Sequence, residues 1–167
     1  MSALVRIKDT EEIAISRSLY QLHENILVSS FNYLDELESY HTTILIDYME
    51  IDITRWGKPL RIEVKYPKKE WVIDKGLSLP VSVNKGIVFF DQEQEEDLDG
   101  KYYSNYDRDC LYIQFLADKN KSIQIASGVI VDVFKNEQLA GIWINNISND
   151  LFYVKEAITG GRKDRRK

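Results

Sequence analysis

From Leu60 to Tyr66 the chain sets Leu60, Ile62, Val64 and Tyr66 against Arg61, Glu63 and Lys65 without an error in the alternation. Successive side chains face opposite ways only on an extended backbone, so this stretch predicts a β-strand with one buried and one wet face. The residues before it carry the same signal. Met49, Ile51 and Ile53 alternate with Glu50, Asp52 and Thr54, and Ile44-Leu45-Ile46 ahead of them is apolar on both faces. A strand over 42–54 that is buried at one end or bulged fits that change of pattern. Arg55-Trp56-Gly57-Lys58-Pro59 reads as the turn that joins the two strands into a hairpin.

Strand signals recur downstream. Leu77, Leu79, Val81 and Val83 alternate with polar residues, but Pro80 lacks the N–H a ladder needs, which predicts a strand at a sheet edge. Asn84-Lys85-Gly86 reads as a turn and Ile87-Val88-Phe89-Phe90 as the return strand. After position 101, alternation returns at Leu111, Ile113 and Phe115, at Ile123 and Ile125, and at Val129, Val131 and Val133. Lys135-Asn136-Glu137-Gln138 then turns the chain into Leu139-Ala140-Gly141-Ile142-Trp143-Ile144, predicting an antiparallel meander.

The first part of the chain reads differently. Asp9 with Glu12 resembles a capping box, and Ile15, Leu19, Leu22 and Ile26 fall at helical spacing, predicting a helix over about 10–24. The stretch 25–38 fits helix or strand. The expected class is α+β: an N-terminal helix packed on antiparallel sheet, with a C-terminal β-meander. The expected divisions are an α+β region over 1–90, an acidic linker over 91–101, the meander module over 102–155 and a basic tail over 156–167.

Three blocks in the meander resemble a known family: Tyr106-Asp107-Arg108-Asp109-Cys110-Leu111-Tyr112-Ile113, Gly128-Val129-Ile130-Val131-Asp132, and Leu139-Ala140-Gly141-Ile142-Trp143-Ile144. In order and spacing, over 102–148, they are similar to the small bacterial domain-of-unknown-function 2283 family. Trp143 stands where that family usually carries an acidic residue between its two isoleucines. The resemblance implies a small antiparallel β-module and brings no established activity.

The formal net charge of −5 argues against a protein that coats nucleic acid without specificity. The single cysteine, Cys110, permits no internal disulfide and suggests a reducing, cytoplasmic setting. The opening residues hold no long apolar run, so neither a signal peptide nor a membrane association is expected.

Candidate chemistry is sparse. His23 and His41 have no local motif around them and read as ordinary helix and strand-start residues. Cys110 follows Asp109, whose charge opposes thiolate formation, so a structural role outweighs a nucleophilic one. Glu95, Asp97, Asp99 and Gly100 echo the start of a calcium loop, but Tyr106 occupies the closing position, and a solvated acidic linker is the stronger reading. Asp107, Asp109 and Asp132 are weak candidates for holding a divalent ion in a hydrolase; local turn bonding is the plainer account. No catalytic residue and no cofactor is expected. Trp56, Tyr102, Tyr103, Tyr106 and Trp143 are the expected contact residues for another protein or for self-association. The leading expectation is therefore a non-enzymatic accessory or regulatory protein. The alternative, nucleic-acid binding, would use Arg55, Lys58, Arg61, Lys65, Lys68 and Lys69 with Arg162, Lys163, Arg165 and Arg166 of the tail.

Overall fold

The computed structural model describes residues 3–33, 39–92 and 98–149. Their order is β1 (Val5–Asp9), β2 (Ile15–Gln21), β3 (Ile26–Asn32), β4 (Thr42–Ile46), β5 (Met49–Ile53), β6 (Pro59–Val64), β7 (Val72–Ile73) and β8 (Asn84–Phe90). Then follow β9 (Lys101–Ser104), β10 (Leu111–Gln114), β11 (Lys121–Ala126), β12 (Val129–Phe134), β13 (Gln138–Ile144) and β14 (Ser148–Asn149). Among the described residues there is no α-helix, only two 3-10 turns at Lys68–Glu70 and Lys135–Glu137.

The expected N-terminal helix is therefore incorrect, and with it the α+β class: the protein is built of β-sheet. Residues 15–21 form β2, paired in full with β3 from Ile15↔Asn32 to Gln21↔Ile26. The helical spacing of Ile15, Leu19, Leu22 and Ile26 does not mark a buried face, since Ile15 and Leu22 are exposed. The inward residues of β2 are Ser18 and Tyr20. Ser18 is affordable inside because its hydroxyl meets that of Ser29 at 2.8 Å. The stretch 25–38, left between helix and strand, is strand as far as Asn32; positions 34–38 lie outside the described residues.

Two further readings change. The single strand expected over 42–54 is a hairpin, β4 and β5, folded at Asp47-Tyr48 with Asp47 in the left-handed region (φ 55°). The edge strand expected around Pro80 is irregular chain, and the turn expected at Asn84-Lys85-Gly86 is the start of β8. Gly86 serves close approach: a Cβ there would sit 3.0 Å from Ile123 Cγ2 and from the Lys8 carbonyl oxygen.

The strands make two mixed sheets. One has eight strands in the order β1-β8-β11-β12-β13-β10-β9-β7, the other six in the order β14-β2-β3-β6-β5-β4. The meander proper is β11-β12-β13. β10 sits on the far side of β13 rather than beside β11, a Greek-key order. Segment 1–90 contributes β1, β7 and β8 to the sheet that holds the meander, so residues from both stretches build one layer.

Cross-strand register explains the core. On the inner face of the six-stranded sheet, Ile46, Met49, Val64, Leu27 and Tyr20 lie in one row across the strands, with Ile44, Ile51 and Ile62 in the next. Facing them, Tyr102, Ile113, Ile142, Val131 and Ile123 form a row in the eight-stranded sheet. All ten of the row residues named first and last, and the three between, are buried in one continuous apolar cluster. A tyrosine clamp ties the layers: Tyr102 OH donates to Asp47 Oδ2 (2.8 Å) and its ring stacks on Tyr66 (4.4 Å between centroids). Among the described residues no helix is long and apolar enough to cross a membrane.

Candidate functional site

The β5–β6 turn presents Trp56 to solvent while holding its own backbone still. Thr54 Oγ1 accepts from the amides of Trp56 (3.3 Å) and Lys58 (3.2 Å), and the Thr54 amide donates to the Lys58 carbonyl (3.0 Å). Gly57, at φ +93°, lies against β8: its carbonyl accepts from the Phe90 amide (2.8 Å), and a Cβ there would run into the Phe90 carbonyl oxygen. Glycine is required twice over at this position, for its φ and for its closeness.

Beside this turn opens a groove of about 510 Å³, lined by Leu4, Val5 and Arg6 of the β1 region and by Phe89 and Phe90 of β8, with Val5 and Phe90 turned into the core. Asp91, Gln92, Asn136 and Glu137 complete a polar rim. Trp56 is 67% exposed at its edge. The Arg55 guanidinium lies over the Trp56 ring (5.4 Å) and that of Arg6 over Phe89 (5.3 Å). Each pair keeps a cation at the surface of an aromatic face, a favourable arrangement where water is partly excluded. The Gln92 side-chain amide donates to the Arg55 carbonyl, closing that end.

A second constellation lies on the outer face of the eight-stranded sheet. Asp132 is wholly buried there. Its carboxylate accepts from Ser122 Oγ (2.6 Å), Trp143 Nε1 (3.0 Å) and Lys119 Nζ (3.2 Å). Tyr112 lies beside Asp132, and burial with that neighbouring charge holds the phenol's pKa far above its ordinary value. Gly141 makes the geometry possible. It sits between Gln114 and Asp132 in the register, and with no side chain of its own it lets the Tyr112 ring cross over it. That ring stacks on Trp143 (4.1 Å, 20°). Leu77 and Val83, from the irregular chain before β8, pack over this face together with Tyr103, Cys110 and Ile130. A buried carboxylate held by three donors ties β11, β12, β13 and the chain at Lys119 together.

The other sequence candidates are scattered. Of the expected contact residues, Trp56 and Tyr106 are exposed, Tyr103 is partly covered, and Tyr102 and Trp143 are buried. Asp107 stands in an exposed turn and Asp109 accepts from Asn105 Nδ2 (2.6 Å), apart from the buried Asp132 network. Among the described residues no three His, Cys, Asp or Glu side chains gather as a metal would need. Cys110 is buried, and burial together with Asp109 pushes its thiol up to about 11. His23 and His41 are exposed.

The cations of the nucleic-acid alternative do not form one stripe. Lys65 pairs with Glu50 (3.0 Å), Arg61 with Glu63, and Lys58 lies buried over the Tyr33 ring (3.9 Å). Lys68 rests against Tyr20, its pKa lowered chiefly by burial. Lys69 is exposed. Positions 162–167 and 93–97, with Glu95 and Asp97 of the calcium-like run, lie outside the described residues. Sequence reasoning found Arg55 and Trp56 but missed Arg6, Leu4 and Phe89, which only the β1–β8 register brings to the groove. No protein-family model matches the chain. No curated protein matches it either.

Proposed function

We propose that this is a non-enzymatic protein-binding protein that seats its partner in the groove at Trp56. The observation that carries the reading is a large aromatic side chain held two-thirds in solvent on a rigid turn. Tryptophan and arginine are the residues that most often carry contact energy at recognition surfaces, and here Trp56, Arg55 and Arg6 stand together at one groove. The buried titratable groups Cys110, Tyr102 and Tyr112 are all shifted toward their neutral forms, which suits structure better than nucleophilic chemistry. A reducing, cytoplasmic location agrees with the single buried thiol. Kinship with the domain-of-unknown-function 2283 family is part of the same proposal. Its support is that Tyr112, Asp132 and Gly141, drawn from the three resembling blocks, meet in one network.

A photo-crosslinking amino acid that keeps a large aromatic ring at position 56 tests the groove, with the same group at the fully exposed Val81 as control. In lysate of the source cell, position 56 is expected to capture a protein that position 81 does not. Unlabelled wild-type chain competes it away, and Trp56→Ala does not. Identical patterns at 56 and 81 refute the reading, and a crosslinked species that nuclease destroys transfers the groove to nucleic acid.

A further inference from the structure

We propose that β4 is a self-association edge, pairing antiparallel with β4 of a second copy of this chain to extend the six-stranded sheet. The inference is independent of the groove at Trp56. Sheet edges expose unpaired N–H and C=O groups, and proteins normally blunt them with charge, brevity or cover. Among the described residues, three of the four sheet edges are blunted. β7 and β14 hold two residues each, and β1 carries Arg6, Lys8 and Asp9, its entry pinned where the Leu139 amide donates to the Ala3 carbonyl. β4, Thr-Thr-Ile-Leu-Ile, has five residues and no charge.

Hydrogen-bond parity shows which backbone groups remain. The Lys65 amide donates to the Tyr48 carbonyl (2.8 Å), so even-numbered residues of the β5 hairpin arm aim their backbone at β6 and odd-numbered ones at β4. The His41 amide donating to Ile53 (2.9 Å) agrees. Thr42, Ile44 and Ile46 are therefore the bonded residues of β4, opposite Ile53, Ile51 and Met49. Thr43 and Leu45 turn their N–H and C=O groups to the open side. Leu45 of β4 and Tyr40 just before it are each more than half exposed.

A two-fold axis at Ile44 uses every one of these groups. Thr43 faces Leu45 of the second copy and the reverse, a bonded pair on each side of the axis, and Ile44 faces Ile44. The same register brings His41 toward the Asp47-Tyr48 turn of the other copy. No like charges meet, because the strand has none.

Sedimentation of the full chain from low micromolar to near-millimolar concentration tests this. Leu45→Pro removes one outward N–H, and Leu45→Lys adds charge at an exposed position. Both variants are expected to keep the wild-type circular dichroism and to weaken dimerisation at least about tenfold, the ratio that losing one or two net hydrogen bonds produces. Trp56→Ala is expected to dimerise like wild type. A wild-type chain that stays monomeric throughout overturns the proposal, as does a dimer unaffected by both Leu45 variants or abolished by Trp56→Ala.

Discussion

Gly141→Ala tests the Tyr112–Asp132 arrangement where it has least room. A Cβ at position 141 would meet Tyr112 Cε1 at 2.6 Å, Tyr112 OH at 2.7 Å and the Ile113 carbonyl oxygen at 2.9 Å. The Ile113 carbonyl belongs to the β10–β13 ladder and cannot retreat without breaking register, so the ring must move. It cannot move freely either, being stacked on Trp143 at 4.1 Å. Forcing a methyl into filled space costs about 1–3 kcal/mol. A destabilisation at the upper end of that range, about 2–3 kcal/mol, is expected because both ring and backbone crowd the new methyl. That is a large share of the roughly 5–15 kcal/mol that holds a domain together. Urea unfolding of wild type and variant, followed by tryptophan fluorescence and circular dichroism, measures it. Repeating the substitution in a Tyr112→Ala background isolates the ring's share: only the Ile113 carbonyl contact then remains, and the penalty should be clearly smaller than in the wild-type background. A cost below about 1 kcal/mol in the wild-type background refutes the reasoning. So does an equal cost in both backgrounds.

Alkaline pH supplies a second test. Cys110 loses its proton near 9.0 when unfolded but at about 11 when folded, so the unfolded chain is favoured as pH rises through that window and stability should fall across it. Ultraviolet titration of the phenols should show Tyr102 and Tyr112, both shifted upward by burial and a neighbouring carboxylate, ionising only with unfolding. The buried Ser18–Ser29 pair predicts non-additivity: either single valine substitution strands a hydroxyl and should cost about 1–3 kcal/mol, whereas the double substitution should recover most of it.

How far the sequence was legible depended on whether a strand's inner face was apolar. Met49, Ile51 and Ile53 are buried as their alternation requires, and so are Ile62 and Val64. Leu60 departs, because the register shifts between Asp52 and Ile53 and leaves it as the extra residue of a bulge. β2 was unreadable because half of its inner face is serine, and the partner that makes Ser18 tolerable stands in the next strand. Local spacing then handed the stretch to the wrong periodicity. In the same way Gly86 suggested a turn, although what it answers is the crowding of β1 and β11 on either side.

The groove was half visible. A tryptophan beside an arginine in a turn is a local signal, but Arg6 and Phe89 are brought face to face only by pairing across some eighty positions of chain, and nothing near either residue announces it. The Asp132 network shows a different limit. Parity correctly separates Tyr102, which faces the core with Ile113, from Tyr103, which faces outward with Tyr112 and Trp143. Parity cannot say whether the outward face is wet. Here Leu77 and Val83 cover it, so Trp143 points away from the core and is still buried, and Asp132 is a bonded internal carboxylate rather than a surface ligand. Alternation along a strand divides its residues into two sets; only what packs against each set decides which of them remains for a partner to touch.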